Sequence, residues 1–406
     1  MAAPRADGGS CKSERVLDRL ACIALLAACG RDAPAPAPIR FLHTFGAEET
    51  ELFNATISST ERFSVESSLV PFARGQQVIS EILRAGTSCP DLIRIDATWL
   101  PGLRSELVPV PPELAALDWT PEAAALVLVE PAAGDPAPRW WAVPQSVDGL
   151  VVARDSRKPA PASPSIEDLI AAARAGKTEA QSYPLGLRVD GYWLVPWLRA
   201  EGADLSIPRG DPDAAMGIDG DGAVRALARF ATLFGDLAAP PPPAGSEAPD
   251  ELRRWNAGEL SYWITGPWQL GALRDRDRIA VSPLARAPRG GQLLVVPRCA
   301  KRPAEGWKLA AELIAVAVEV RFADSFGTVP TRRSALDAAP ALARSLYEAL
   351  RTAEPLPRDP RTPLLFDDLN PALAAVIAHD ATPGEAIAGV RRAWRRLATP
   401  GPGPVP

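Results

Sequence analysis

The chain is poor in histidine, with two residues in 406, and in cysteine, with five. His43 and His379 keep no zinc-ligand spacing with each other or with the cysteines, so no metal centre is expected. A Ser-His-Asp site would have to recruit one of these two histidines. The sequence contains no Gly-x-Ser-x-Gly elbow and no P-loop, and pairs of Asp and Glu are too common to mark a glycosidase. Neither an enzyme nor a resident cofactor is expected. Positive charge is not in excess: 44 Lys and Arg stand against 49 Asp and Glu, a net charge of -5. That excludes the basic surface used to bind nucleic acid. No apolar run reaches the roughly 20 residues needed to span a bilayer.

One short apolar run is present. Leu20 to Ala28 follows the cations Lys12, Arg15 and Arg19 and ends in Leu26-Ala27-Ala28-Cys29. It resembles a bacterial lipoprotein signal, in which the cysteine becomes the lipid-bearing N-terminus. The leader, residues 1–28, is long for this class and contains Asp7, Glu14 and Asp18. The resemblance implies a chain outside the cytoplasm, held to a bilayer through Cys29, and periplasmic where the cell has an outer membrane. Residues 29–38, in which Ala33–Pro38 alternate Ala and Pro, read as an extended tether. Residues 398–406 read as a disordered tail. The 378 residues after the leader exceed what one core holds, about 250–300, so two lobes are expected.

Along the body, Ile39–His43 reads as a strand and 48–58 as a helix. Phe72–Ala85 reads as an amphipathic helix ended by Gly86, and Pro90–Asp96 as a β-branched strand. The β-α-β order favours a parallel sheet covered by helices. Ser163 and Pro164 fit the start of a helix stopped by Gly176, and Asp221 fits the cap of a helix over 222–234. Leu293–Pro297 reads as an apolar strand, and Pro303 opens a single long helix to about Phe326. Trp197, Trp307 and Trp394 lie in amphipathic helices and are expected in the core.

Seven segments, in order, resemble the extracellular family-1 solute-binding proteins of ABC importers, which include sugar binders. They are 39–48 (IRFLHTFGAE), 89–100 (CPDLIRIDATWL), 140–152 (WWAVPQSVDGLVV), 192–205 (YWLVPWLRAEGADL), 255–268 (WNAGELSYWITGPW), 290–314 (GGQLLVVPRCAKRPAEGWKLAAELI) and 328–332 (TVPTR). Leu260-Ser261 departs from the family's Ala-Met pair, and the proline loop 240–243 is unusual. The resemblance implies an α/β fold of two lobes, the type II periplasmic-binding-protein fold, with a ligand cleft between them. Lobe 1 would hold 39–145 and 290–330, and lobe 2 146–289 and 331–397. Three crossings are implied near 143–149, 286–291 and 328–335. The implied partners are a small solute, above all a sugar, and the membrane permease that receives it; the chain would act as a monomer. Two other classes remain open at this point: a binding fold serving as sensor or scaffold, and a lipid-anchored hydrolase.

A sugar presents CH faces to flat rings and hydroxyls to carboxylates and amides. Trp268, after Gly266 and Pro267, matches the family's ligand-stacking ring, and a loop anchor is its alternative. Trp99 and Asp96 end the 90–96 strand, at the sheet edge that faces ligands; capping the core and capping the next helix are their alternatives. Asp148 lies in a crossing. Of Tyr192 and Trp193, one is expected in the core and the other at the cleft. Thr44 and Glu48 follow the first strand, with His43 beside them as a structural residue, and Arg332 is placed for an anionic ligand. The family's sheet order sets the return strand antiparallel beside 90–96, which implies a disulfide between Cys89 and Cys299.

Overall fold

A computed structural model describes residues 37–60, 62–127, 129–132, 135–208, 214–241, 251–271, 273 and 275–398. The leader, most of the tether with Cys29, residues 242–243 of the proline loop and all but the first residue of the tail lie outside the described residues.

The chain runs β1 (Ile39–His43), α1 (Ala47–Thr60), β2 (Val65–Leu69), α2 (Phe72–Ala85) and β3 (Leu92–Asp96), with β1 pairing in parallel to both β2 and β3. β3 is buried over Leu92–Ile95 because helices cover both faces. β2 reads VESSL, a polar and half-exposed edge that discourages pairing with another chain. α2 buries Gly75, Ile79 and Leu83, one stripe at helical spacing. Gly86 ends it in the left-handed region (φ 64°), its N–H donating to the Ile82 and Leu83 carbonyls.

A hairpin, β4 (Val129–Ala132) and β5 (Asp135–Trp140), leads to β6 (Val143–Gly149). The chain then enters a second sheet with β7 (Val151–Asp155). This sheet is completed, among α3 (Ile166–Ala175), α4 (Gly191–Ala200) and α5 (Asp221–Ala231), by β8 (Leu185–Gly186), β9 (Tyr262–Thr265) and β10 (Ile279–Ser282), in the order β10-β7-β9-β8. β11 (Pro288–Val295) returns to the first sheet and lies antiparallel to both β3 and β6. Helices α6 (Pro303–Leu313), α7 (Val316–Phe326) and α8 (Ala341–Leu350) follow. β12 (Glu354–Pro355) pairs in parallel with the start of β11, before α9 (Thr362–Ile377) and α10 (Pro383–Ala398). One buried cluster extends through both sheets. A second, around Phe41, Phe45 and Phe53, lies beneath α1, α6 and α7. Trp197, Trp307 and Trp394 are buried.

The chain passes between the sheets at Gly149–Leu150 and between β10 and β11, and on either side of β12 it links the first sheet to helices packed with the second, α8 on β10 and α9 on α4 and α5. Gly149 has φ 152°, and a Cβ there would lie 2.5 Å from the Pro288 carbonyl oxygen, so the first crossing needs glycine. One side chain ties two of the crossings together. The Arg199 guanidinium on α4 donates to the carbonyls of Arg286 (3.2 Å), Ala287 (3.3 Å) and Glu354 (3.2 Å) through Nη1, and of Pro355 (2.8 Å) through Nη2.

Between α7 and α8 the chain is held by Glu319, 4% exposed on α7, which accepts from the backbone N–H groups of Thr331 (3.3 Å) and Arg332 (3.2 Å) and from the Thr331 hydroxyl. Burial raises its carboxyl to about 7. Cys89, just before β3, is bonded to Cys299, just after β11, with Cα atoms 5.8 Å apart. Beside that bond Asp91, 2% exposed, accepts from Arg40 N (3.0 Å), Arg302 N (3.2 Å) and Arg302 Nη2 (2.7 Å).

Several expectations are corrected. β6 stays in the first sheet to Gly149 rather than leaving it at 145, β11 joins at Pro288 rather than 290, and β12 brings 354–355 back to the first sheet from within the span assigned to lobe 2. Ser165, not Ser163, caps α3, accepting from Asp168 N at 3.1 Å; Ser163 instead bonds the Asp168 carboxylate. Gly220, not Asp221, precedes α5, which ends at Ala231. The helix expected over 303–326 is two helices, because Ala315 takes an extended backbone (ψ 140°) at the bend.

Candidate functional site

Strand register gathers the polar groups. Asp96 on β3 is paired with Gln292 on β11, and Asp148 on β6 is paired with Gly290 on β11. Residues 290 and 292 share one face of the strand, so the two carboxylates meet on that face. Gln292 Nε2 donates to Asp96 Oδ2 at 3.3 Å and to Asp148 Oδ2 at 3.4 Å. A Cβ at Gly290 would lie 3.0 Å from Asp148 Oδ1, so the missing side chain leaves room for the second carboxylate. Asp96 also accepts from the N–H of Thr98 (2.8 Å) and its hydroxyl (2.5 Å) at Oδ1, so it caps the helical turn after β3 while its other oxygen meets Gln292.

Arg94, two residues before Asp96, donates to Gln145 Oε1 (2.8 Å) and Thr44 Oγ1 (2.9 Å) and lies 4.4 Å from the Phe45 ring centroid. Burial raises Asp148 to about 7, aided by the Asp96 charge. Burial also raises Asp96, against its bonds to Thr98 and Gln292 and the Arg94 charge. Tyr192 is pushed well above its ordinary range by burial and then by Asp148 and Asp96. Its hydroxyl reaches the Pro288 carbonyl at 3.5 Å.

These shifts set a sign. A carboxyl with a raised native pKa binds its proton more tightly folded than unfolded, so its contribution to stability is lost as pH rises through about 7. His43 acts oppositely. Burial, then Arg94, lowers it to about 4, so stability rises with pH up to its unfolded value of 6.5. Above pH 6.5 the His43 slope fades and the carboxyl slope dominates. The melting temperature of the ligand-free protein is expected to fall between pH 6.5 and 8, and less steeply in Asp148→Asn. A flat or rising curve over that window would contradict the assignment.

The aromatic half of the site comes from the second sheet's helices. Asp190 accepts from Tyr192 N (2.8 Å) and Asn370 Oδ1 from Gly191 N (2.6 Å), fixing the first turn of α4. Tyr192 is the residue of the pair at the carboxylates. Trp193 is buried and donates Nε1–H to the Ile264 carbonyl at 2.8 Å. Trp268, in a short helix over 267–270, is 45% exposed, with its ring 6.5 Å from Tyr192 and 6.2 Å from Trp193. The indole folds back over Gly266, where any Cβ would overlap the ring.

Other candidates lie elsewhere. Trp99 is 5% exposed, stacked on Phe72 at 5.2 Å and resting on Gly75, where a Cβ would meet the ring at 2.5 Å; it is a core residue. Glu48 faces solvent. Glu49 is half-buried, accepts from Gly46 N at 2.8 Å and acts on Arg94, because the helix starts at Ala47 and turns the second acid inward. Thr44 meets Arg94 rather than the carboxylates. Arg332 is bound to Asp118 (Nε–Oδ1 2.6 Å), away from the pair, because its backbone bridges Trp119. Sequence reasoning missed Gln292, Gln145 and Arg94, although a cation inside the apolar run Leu92–Ile95 is a signal for Arg94. Among the described residues no group of His, Cys, Asp and Glu could hold a metal ion, and no helix is long and apolar enough to cross a membrane.

Two α/β lobes joined by repeated crossings, with polar and aromatic groups gathered where they meet, define the two-lobed solute-binding class. The family model for bacterial extracellular solute-binding proteins matches residues 64–318, and the chain belongs to that family. No curated protein matches at the sequence level. Similar solved structures include the GacH receptor of Streptomyces glaucescens, at 23% identity and TM-score 0.74, covering 89% of this chain and 98% of that one. Maltose-bound MalE3 of T. maritima matches at 18% identity and TM-score 0.74, covering 88% and 99%. The maltotriose-binding protein of Thermus thermophilus matches at 19% and 0.71, covering 87% and 99%.

Proposed function

We propose that this protein is a lipid-anchored solute-binding protein that captures a carbohydrate between its lobes and delivers it to an ABC-type permease, without catalysis or a cofactor. The observation that carries the reading is the half-exposed Trp268, joined through Tyr192 to the Asp96–Asp148 pair. Such a surface offers a flat ring to sugar CH faces and acceptors to sugar hydroxyls. Three similar structures support the ligand class: one was studied with acarbose, one with maltose and one with maltotriose. The signal-like leader supports an anchor at Cys29, and the family supports a place outside the cytoplasm.

In this reading Trp268, Tyr192, Asp96 and Asp148 touch the solute. Gly266 seats the indole, Trp193 backs it, and Thr44 and Glu49 act through Arg94. The chain works as a monomer, and closure bends the crossings as solute favours the closed form. Lobe 1 comprises β1–β6, β11 and β12; lobe 2 comprises β7–β10 with α4, α5, α9 and α10.

A thermal-shift screen of the purified protein against mono- and oligosaccharides, polyols and sugar phosphates tests it. A ligand at ~100 times its dissociation constant adds about 2.7 kcal/mol. At least one neutral or basic carbohydrate is expected to stabilise the protein, and sugar phosphates are not, because among the described residues no cation hydrogen-bonds at the Asp96–Asp148 pair. A panel without any carbohydrate hit would remove the reading.

A further inference from the structure

Acceptors outnumber donors where the two carboxylates meet. Among the described residues a single side-chain amide, that of Gln292, donates to both Asp96 and Asp148, and no cation hydrogen-bonds to either. Gln292 is 8% exposed, and its Oε1 is buried without a partner. Among the described residues Asp148 accepts at Oδ2 alone, from Gln292. Arg94 acts on both acids through space, but its Nε and Nη1 donate to Gln145 and Thr44.

The charges around the pair do not restore balance. Glu49 of α1 acts on Arg94, and Asp190, before α4, adds another negative charge at Tyr192. Arg199 of α4 is the other cation acting there, and its guanidinium is spent on backbone carbonyls. His43 is held neutral.

We propose that the solute carries a protonated amine, seated between Asp96 and Asp148 with Gln292 Oε1 as a third acceptor. This rests on the carbohydrate reading above and narrows it to amino sugars and their oligomers. A hydroxyl brings one donor and its own lone pairs to a place already rich in acceptors. An ammonium brings three donors, no acceptor and a charge that cancels the repulsion between the acids. Burial raises both carboxyls and the Asp96 charge adds to the rise at Asp148, so a cation seated against the pair would favour their ionised forms.

Calorimetric titration of the full chain near neutral pH separates the possibilities. The probes are glucosamine oligomers, their N-acetylated counterparts, and unsubstituted glucose oligomers of the same linkage. The free-amine series is expected to bind at least about tenfold more tightly than either neutral series. Added salt should narrow that preference. Asp148→Asn should abolish it, and Asp96→Asn is the second variant should the first fail to fold by circular dichroism. Equal or tighter binding of the neutral sugars would overturn the amine and leave the carbohydrate reading standing. Failure of all three series to bind would overturn both.

Discussion

Opening the Cys89–Cys299 bond is expected to lower the stability of the protein by about 2–5 kcal/mol. The bond closes a loop with a sequence separation of 210. The chain-entropy model gives about 5 kcal/mol for a loop of that length, and measured gains usually fall below such values. The fold should persist, because the buried Asp91 and half-buried Arg302 hold the same strand ends through an ion pair at 2.7 Å. The measurement is the denaturant midpoint with and without reductant, and for Cys299→Ser, with thiol titration to establish that the bond is open. An unchanged midpoint in the opened protein would show that the antiparallel pairing of β3 and β11 suffices without it.

Replacing Trp268 with alanine is expected to weaken solute binding roughly tenfold to a hundredfold while leaving the fold intact. Burying one large aromatic side chain against a ligand is worth about 1.5–3 kcal/mol. In the ligand-free protein nearly half of this side chain is exposed, so its removal should change stability by less than about 1 kcal/mol. Titration of whichever carbohydrate the screen returns, set beside the melting temperature of the variant, checks both halves. A drop in stability with unchanged affinity would make Trp268 an anchor for Tyr192 and Trp193 rather than a binding surface. Trp193→Phe gives the complementary control, because Trp193 is already tied to Ile264 by its indole N–H.

Much of the fold is legible where short-range rules act alone. The α2 helix follows from its apolar spacing and the glycine that ends it, and Trp197, Trp307 and Trp394 fall into the core from helical periodicity. β2 escapes, because an edge strand reading Val-Glu-Ser-Ser-Leu has neither the alternation nor the bulk of a buried one. The start of α3 is misplaced because Ser163 and Ser165 are both fit to cap, and only the folded chain shows that Ser163 bonds a carboxylate instead.

The candidate site is legible only in part, for a different reason. Asp96 and Asp148 are visible as acids at a strand end and in a crossing. That they meet depends on a third strand, whose Gln292 is 196 residues from Asp96 and 144 from Asp148 and whose register sets Gln292 and Gly290 opposite them. No local pattern carries that information. Trp99 and Glu48 fail because orientation was undetermined: one extra turn of backbone after β3 carries the indole inward, and one residue of helix phase exchanges Glu48 for Glu49.

The Arg199 guanidinium gives the molecule a mechanical property. By grasping carbonyls at 286–287 and again at 354–355, it works as a coupling rod between two separate straps. Two straps fastened to one planar group are expected to move together, which would resist twisting and sideways shear more than a single swing. On the closure proposed above, the jaws would meet in one alignment, which a floor built from atoms on three strands and a ceiling built from helix ends both require.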